Sequence, residues 1–262
     1  ASAFVSHNGE MIHALRPDVK LGVGSVFKLA VLAELKKDIA AEKRSWTDTV
    51  ALKETDRSLP TGYLQDWPVG APLNLYTLAA LMISKSDNTA TDMLMDVVGR
   101  DRVAKALDLE TVLKTRDFFQ LKANPLEANA WRSNDAQRRR HQLEMLATLP
   151  LPPVEAVQTP RNPDVEWPVS TSHLCKLMEE LGEDEIAAIE PGFATSGFWD
   201  HVTYKGGSTT GVLNLTHRVT KGEDAWCVSL TWNSDSGQSP TAINEIAASL
   251  LAALREEAKG QQ

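Results

Sequence analysis

Ser25-Val26-Phe27-Lys28 is the stretch that decides how this chain is interpreted, and two further motifs follow it downstream. A serine and a lysine three residues apart at the start of a helix lie on one helical face. A serine hydroxyl is a poor nucleophile at neutral pH and needs a base that takes its proton. We therefore predict that Lys28 is the base that activates Ser25.

The residues around this motif predict a helix over residues 25–41 whose first turns are buried. Apolar side chains cover most of the helical surface between residues 26 and 35. Burial disfavours an ammonium group, so we expect the pKa of Lys28 to fall towards the range of a general base. The helix N-terminus also favours the negative charge that develops beside Ser25 during acyl transfer.

The second motif, Ser86-Asp87-Asn88, lies between two predicted helices at residues 75–84 and 89–98. Ser86 offers a second hydroxyl that would pass a proton on to the leaving group. The amide of Asn88 both donates and accepts, which suits a substrate amide. Helix capping by the serine or the aspartate is the structural alternative, and it does not exclude catalysis.

The third motif reads Lys-Gly-Gly-Ser at residues 205–208, on a strand predicted over residues 202–207. Two adjacent glycines let a ligand approach the backbone closely. We predict an oxyanion hole made of the backbone N–H groups of Ser25 and Ser208. Lys205, with the hydroxyl of Ser208 or Thr209, would attract a substrate carboxylate. A turn formed by the glycine pair is the alternative.

The rest of the sequence adds one candidate and excludes several kinds of site. Tyr63, beside a Pro/Gly break, is a candidate wall of the substrate site, and a packed surface aromatic is an equal alternative. No metal or nucleotide cofactor is predicted, because the sequence lacks metal-ligand spacings of His and Cys and has no glycine-rich phosphate loop. The predicted partner is a small-molecule substrate.

Composition narrows the class of protein. The chain has 262 residues, 42% of them hydrophobic, and a net charge of −8, which argues against a nucleic-acid or anionic-membrane binder. No apolar stretch is long enough to cross a membrane. Cys175 and Cys227 are predicted to be small core residues and not part of a disulfide framework.

The order of predicted elements indicates an α+β fold with three layers (α/β/α), in which helices flank an antiparallel sheet. Strands are predicted at residues 3–6, 11–15, 202–207, 211–218 and 226–232, and a terminal helix over residues 241–259. We predict a discontinuous α/β lobe of residues 1–45 and 182–262, and a mostly helical lobe of residues 46–181.

Together the motifs resemble those of the penicillin-recognising serine enzymes, which include class A β-lactamases and D-alanyl-D-alanine peptidases. Ser86 follows Ser25 by 61 positions, close to the spacing in that family. The segments at residues 205–208 and 116–119 are similar to the β-lactamase-like protein of clavulanic acid biosynthesis clusters. This closer resemblance implies a small additional N-terminal domain and a cytoplasmic location, whereas the wider family implies secretion.

The resemblance breaks down at the residue that controls turnover. Class A enzymes carry a glutamate, in an E-x-x-L-N segment, that activates the water which clears the acyl-enzyme. Here Phe119 or Gln120 stands near that place, and Glu110 and Glu127 lack the flanking pattern. Loss of such a base typically slows the step that it serves by roughly 10²–10⁴-fold.

Gly206 is a second departure, because the family motif has a threonine there whose hydroxyl helps to bind the substrate carboxylate. The sequence therefore predicts a serine hydrolase for β-lactam-like or ester substrates, with weak esterase activity, little β-lactamase turnover and a role in clavulanic acid or related β-lactam biosynthesis. Two alternatives stay open. The chain is a class A β-lactamase or D-alanyl-D-alanine carboxypeptidase, or it is a non-catalytic ligand-binding homologue.

Overall fold

The computed structural model describes residues 1–194, 197–235 and 241–260. The strands are β1 (Ser2–His7), β2 (Glu10–Leu15), β3 (Leu21–Gly22), β4 (Thr49–Ala51), β5 (Pro72–Asn74), β6 (Pro168–Val169), β7 (His201–Thr209), β8 (Val212–Lys221) and β9 (Asp224–Asn233). The α-helices are α1 (Lys28–Ala40), α2 (Leu75–Ser84), α3 (Asn88–Val98), α4 (Arg100–Ala106), α5 (Thr115–Ala123), α6 (Pro125–Ser133), α7 (Ala136–Ala147), α8 (Thr171–Leu181) and α9 (Thr241–Gly260). Short 3₁₀ helices cover Gly24–Phe27, Glu54–Asp56, Leu64–Asp66 and Val154–Val157.

The chain divides into two compact units, Ala1–Leu29 with Pro168–Gln262, and Ala30–Trp167. We call them the sheet unit and the helical unit. The predicted lobe boundaries, after residues 45 and 181, differ from these divisions. Helix α8 packs against β1, β8 and β9, so it belongs to the sheet unit. Most of α1 belongs to the helical unit, where Arg102 of α4 binds the carboxylates of Glu34 and Asp38.

The sheet unit is built on a five-stranded antiparallel sheet with the order β2-β1-β9-β8-β7. Strands β1 and β2 form the hairpin that Asn8-Gly9 predicts, and both residues adopt the positive φ angles of such a turn. The first strand of the chain pairs with β9, near its end. The predicted α+β fold, with an antiparallel sheet assembled from both ends of the chain, is therefore confirmed.

Alternating side chains on β9 explain why helices cover both faces of this sheet. Trp226, Val228 and Leu230 face an apolar cluster to which α9 contributes Ala247, Leu251, Leu254 and Ala258. Cys227 points to the opposite face, where α8 packs. The two helices thus enclose the sheet as outer layers, which is the predicted three-layer arrangement.

The face that carries Cys227 is rich in buried hydroxyl groups. Asn214 donates to Thr231 at 2.7 Å and accepts from Thr216 at 2.8 Å, while Thr216 also contacts the hydroxyl of Ser229 at 2.9 Å. All four side chains are buried. Because each polar group finds a partner within the network, the sheet can bury them without leaving unpaired donors.

Cys175 and Cys227 form a disulfide between α8 and β9, with their Cα atoms 5.8 Å apart. The prediction that they are separate small core residues was wrong. Sequence spacing did not reveal the pair, because 52 residues separate the two cysteines and only the packing of α8 on the sheet brings them together.

Buried carboxylates organise the helical unit. Asp87 caps α3 by accepting a hydrogen bond from the backbone N–H of Ala90 at 2.8 Å. Asp92, on α3, accepts from the backbone N–H groups of Thr115 and Arg116 at the start of α5, at 2.7 and 2.9 Å. A carboxylate near a helix N-terminus is favoured by the helix dipole. Within the described ranges, no helix has the length and apolar character needed to cross a membrane.

The disulfide should make a measurable contribution to stability. A cross-link across 52 residues restricts the unfolded chain, and the chain-entropy account assigns roughly 4 kcal/mol to a loop of that size. We expect the Cys175→Ala/Cys227→Ala variant to lose about 2–4 kcal/mol of unfolding free energy in urea. The wild-type protein with reductant should lose a similar amount. Equal stability with and without reductant, with both thiols free by mass, would contradict the disulfide.

Candidate active site

Ser25 lies in a tight turn and not in the first turn of an α-helix. Residues 24–27 form a 3₁₀ helix, and α1 begins at Lys28, so the helix predicted over residues 25–41 has two parts. Ser25 is half-buried, whereas Lys28 has no exposed surface. The structure therefore places Lys28 in the dry environment that the sequence predicts.

Two glycines allow this turn to pack directly against β7. A Cβ atom on Gly24 would lie 2.9 Å from the backbone nitrogen of Ser208, and Gly24 has a φ angle of +53°. A Cβ atom on Gly207 would lie 2.6 Å from the backbone nitrogen of Ser25 and 2.3 Å from the carbonyl oxygen of Val23. The backbones of the turn and the strand thus come into contact, and they bring Ser25 and Ser208 together.

Lys205 is also on β7, with a side chain that is only 4% exposed. Its Nζ donates a hydrogen bond to the carbonyl oxygen of Gly206 at 2.7 Å. Burial lowers the pKa of Lys205 to about 7, because desolvation penalises the charged form. Ser208 is exposed and Thr209, at the end of β7, is half-buried. The third motif therefore lies on β7, with Lys205 buried and Ser208 exposed.

Ser86 occupies the connection between α2 and α3, in the helical unit. It has a positive φ of 53°, which is uncommon for a residue other than glycine and recurs at functional sites. The hydroxyl of Thr61 donates to the carbonyl oxygen of Ser86 at 2.8 Å, and the backbone N–H of Asn88 donates to the carbonyl oxygen of Thr61 at 3.0 Å. The loop around residue 61 therefore supports the second motif.

Asp87 holds that loop in place. Its carboxylate accepts hydrogen bonds from the backbone N–H groups of Tyr63 and Leu64, at 2.6 and 3.0 Å, in addition to its cap on α3. Asn88 is buried, and its side-chain amide donates to the carbonyl oxygen of Leu59 at 3.0 Å. The side chain of Tyr63 is 56% exposed, so Tyr63 is a surface aromatic on this supported loop.

The predicted residues thus form two groups. In the sheet unit, Ser25 meets Ser208 on β7, the strand that also carries Lys205. In the helical unit, Ser86 and Asn88 share one short loop with Tyr63. Each group is assembled from residues that are distant in sequence but adjacent in its own unit.

The residues near the expected deacylation glutamate are engaged elsewhere. The amide of Gln120 donates to the carbonyl oxygens of Leu149 and Pro150, at 3.0 and 3.4 Å. The ring of Phe119 packs against Phe118, with centroids 5.2 Å apart. Neither residue can act as a base for water.

The two alternative glutamates serve surface contacts in the helical unit. Glu110 lies 3.8 Å from the guanidinium of Arg139 and is largely exposed. Glu127 accepts a hydrogen bond from Gln142 at 2.7 Å. Each of these two carboxylates therefore has a structural partner within the helical unit.

Two buried acids in the helical unit escaped the sequence prediction. Desolvation raises the pKa of Asp92 to about 6 and that of Glu166 to about 8, and the charge of Lys122 opposes the rise at Glu166. No sequence pattern marks either residue, because the burial of each depends on segments that only the fold brings together. Within the described part of the chain, no group of three or more His, Cys, Asp or Glu side chains is arranged to hold a metal ion.

Comparison with known proteins gives one family and a common fold. Residues 6–149 match the model of the beta-lactamase enzyme family. A β-lactamase from Sphaerobacter thermophilus aligns with a TM-score of 0.59 at 20% identity, covering 100% of this chain and 91% of the other. PBP-A gives a TM-score of 0.64 at 15% identity, covering 97% and 89%. A β-lactamase from Burkholderia phymatum gives 0.66 at 16% identity, covering 97% and 92%.

No match was found among curated protein sequences. At these identities the structural likeness establishes the fold alone, while the family match covers more than half of the chain. The identity of the reaction therefore depends on the residues of the site.

The contact between the turn and β7 predicts unequal effects for two neighbouring glycines. Gly207→Ala would force a Cβ into backbone atoms of Val23 and Ser25, so we expect it to cost about 1–3 kcal/mol of unfolding free energy. Gly206→Ala is the matched control, because its Cβ would meet only the end of the Tyr204 side chain. We expect a smaller loss there in urea unfolding, because the end of a side chain yields more readily than a backbone. Equal losses would show that the backbone contact is not tight.

Burial of Lys205 predicts a titration near neutral pH. We expect the Cε resonance of Lys205, measured by NMR on ¹³C-lysine-labelled protein, to titrate near pH 7 and to be missing from the spectrum of Lys205→Met. The ammonium form is lost as the pH rises through that value, so attraction of an anionic ligand should weaken above pH 7. A titration midpoint near 10, the ordinary value for lysine, would contradict this prediction.

Proposed function

This chain belongs to the beta-lactamase enzyme family, and from that premise we propose that it is an acyl-transferring serine hydrolase with Ser25 as the nucleophile. The substrate class is a β-lactam-like amide or a related ester. Attack by the Ser25 oxygen on the substrate carbonyl would form an acyl-enzyme and break the C–O bond of an ester or the C–N bond of a β-lactam, and the serine proton would pass to the departing oxygen or nitrogen. An ester then releases its alcohol, whereas the amine of an opened β-lactam stays attached, and water would cleave the acyl-enzyme.

The observation that carries this proposal is the contact between the Ser25 turn and β7. At this contact, the backbone nitrogen of Ser25 lies against Gly207, and the backbone nitrogen of Ser208 lies against Gly24. Two backbone N–H groups held in this way can stabilise the oxyanion of a tetrahedral intermediate. A serine whose own N–H takes part in such a pair is a strong candidate for the attacking residue.

Lys28 supports the proposal as the base. It follows Ser25 by three residues at the junction of the 3₁₀ turn and α1, and its side chain is fully buried. A buried lysine is more easily neutral than an exposed one, and only the neutral amine can take a proton from the serine. The roles of Ser86 as a proton relay and of Asn88 and Tyr63 in substrate binding stay predictions from the motif.

We further propose that acylation is faster than deacylation. Gln120 and Phe119 supply no carboxylate at the expected place, and the amide of Gln120 is held by two carbonyl groups. This favours weak esterase activity with little β-lactamase turnover over a true class A β-lactamase. Esters that acylate the serine would leave a long-lived acyl-enzyme.

A role in clavulanic acid or related β-lactam biosynthesis is the most specific form of the proposal, and it rests on the resemblance at residues 116–119 and 205–208. In the helical unit Arg116 donates to the carbonyl oxygens of Arg57 and Leu149, and Asp117 pairs with Arg100. These side chains therefore serve local architecture, so they do not add support for that role.

The location of the protein is likewise a proposal. The closer resemblance favours the cytoplasm. The disulfide between α8 and β9 favours secretion, because disulfides persist mainly in oxidising compartments. Of the two locations, we propose the secreted one.

Labelling and turnover of Ser25 test the proposed function. We expect a fluorophosphonate probe to phosphonylate Ser25 with loss of fluoride, and p-nitrophenyl acetate to acetylate it, both seen by intact mass and peptide mapping. Release of p-nitrophenol from the ester should show a burst followed by slow turnover. Ser25→Ala should abolish the adduct. Lys28→Met should slow acylation by roughly 10²–10⁴-fold while the protein stays folded by circular dichroism.

The outcome of this experiment, together with nitrocefin turnover, distinguishes the three hypotheses about function that the sequence leaves open. A burst with a persistent adduct supports the proposal. Fast steady turnover of nitrocefin without a persistent adduct would indicate a true β-lactamase. No adduct on folded protein, with ligand binding that is unchanged in Ser25→Ala, would indicate a non-catalytic binding protein and would overturn the proposal.

A further inference from the structure

Gly206 lacks a side chain, but the space of that side chain is occupied. A Cβ atom built on Gly206 would lie 2.2 Å from the phenolic oxygen of Tyr204. Residues 204, 206 and 208 share one face of β7, since side chains alternate along a strand. The Tyr204 side chain therefore runs along the strand from its own Cα towards Ser208, and its Oη stands where the first atom of a residue-206 side chain would be.

The ring of Tyr204 is held in this position from two sides. His217, its neighbour across the β7–β8 pair, contacts the ring with centroids 4.4 Å apart. On the other side, a Cβ atom on Gly192 would lie 2.7 Å from the ring, so the backbone of Gly192 packs directly on it. The backbone N–H of Phe193 donates to Nε2 of His217 at 3.1 Å, which fixes the imidazole. A hydroxyl on such a supported ring is preorganised.

The hydroxyl of Tyr204 is available as a donor. Among the residues that the structure describes, its Oη takes part in no hydrogen bond, and the residue is only half-buried. Burial, with the charge of Glu190 as a smaller cause, raises the pKa of Tyr204 to about 12. The phenol consequently keeps its proton at physiological pH and can donate it to an acceptor.

The Lys205 amine, which is cationic below about pH 7, reaches the same residue from the other face of the strand. Nζ of Lys205 lies 2.7 Å from the carbonyl oxygen of Gly206. The Lys205 amine and the Tyr204 phenol thus both lie close to Gly206, on opposite faces of the strand, next to the exposed Ser208. A charged amine and a directed hydroxyl are both donors that bind a carboxylate well.

We propose that Tyr204 Oη donates a hydrogen bond to the carboxylate of the substrate, and that it replaces the side-chain hydroxyl that Gly206 cannot supply. The inference rests on the proposed function and names a specificity-determining residue for it. It assigns the substrate an anionic group beside its reactive carbonyl. It also explains why a glycine stands at position 206, since a larger residue would displace the phenol.

Equilibrium binding in a Ser25→Ala background tests this without any chemistry. The probes are benzylpenicillin, which carries a carboxylate, and its methyl ester, which does not. We expect the Ser25→Ala protein to bind the acid more tightly than the ester by calorimetry. Tyr204→Phe keeps the ring and removes only the hydroxyl, so it should weaken binding of the acid about tenfold or more and change that of the ester less than about twofold.

A rescue variant separates a lost hydroxyl from a disturbed strand. Tyr204→Ala removes both the ring and the hydroxyl and leaves room at residue 206, and it should also lose the preference for the acid. Adding Gly206→Thr to Tyr204→Ala places a hydroxyl in the vacated space and should restore most of that preference. Gly206→Thr alone should weaken binding of the acid, because it collides with the phenol.

Several outcomes would overturn the inference. Equal affinity for acid and ester in the parent, including no measurable binding of either, would show that no carboxylate site exists. Equal weakening of both probes by Tyr204→Phe would assign the residue a structural role. Failure of the proposed function is seen separately, as absence of Ser25 acylation by the uncharged p-nitrophenyl acetate, for which no carboxylate contact is needed.

Discussion

The close backbone approach between the Ser25 turn and β7 is the constraint on which the sheet unit depends. It is possible only because Gly24 and Gly207 have no side chains, and each glycine leaves room for a backbone nitrogen of the other segment. The same approach sets where Ser25 stands and which backbone nitrogens lie at the contact. In the proposed mechanism, the missing side-chain volume of the two glycines and the stabilisation of an oxyanion would both follow from this one packing arrangement.

In the helical unit, carboxylates have the organising role that glycines have beside the sheet. Asp87 gathers three backbone N–H groups from two segments, and Asp92 gathers two at the start of α5. Both side chains are fully buried, so each backbone donor is matched by an acceptor that water cannot replace. The aspartate of the second motif therefore shapes the loop that carries Ser86 and Asn88 on either side of it.

Much of this arrangement could be predicted from the sequence, and what could not has a common physical cause. The hairpin, the strands and the terminal helix follow local periodicity, and the order of motifs along the chain indicates the family. Periodicity is blind to contacts between distant segments, so it missed the Cys175–Cys227 bond and the place of α8 in the sheet unit. The sequence shows that Gly206 lacks the hydroxyl of the family motif, but not that the Tyr204 side chain fills that space, because this depends on a side-chain direction that only the folded strand shows.

The Cys175–Cys227 bond encloses a particular part of the chain. The covalent ring that it closes contains β7 and β8 entire, and with them the residues of the third motif from Lys205 to Ser208. A protease that cuts the connection between α8 and β7 would release no fragment, because both pieces stay joined through sulfur. The segment that carries these residues is therefore tethered to the rest of the molecule at two points, by the peptide chain and by the cystine, and it tolerates a nick that would free an unbridged strand pair.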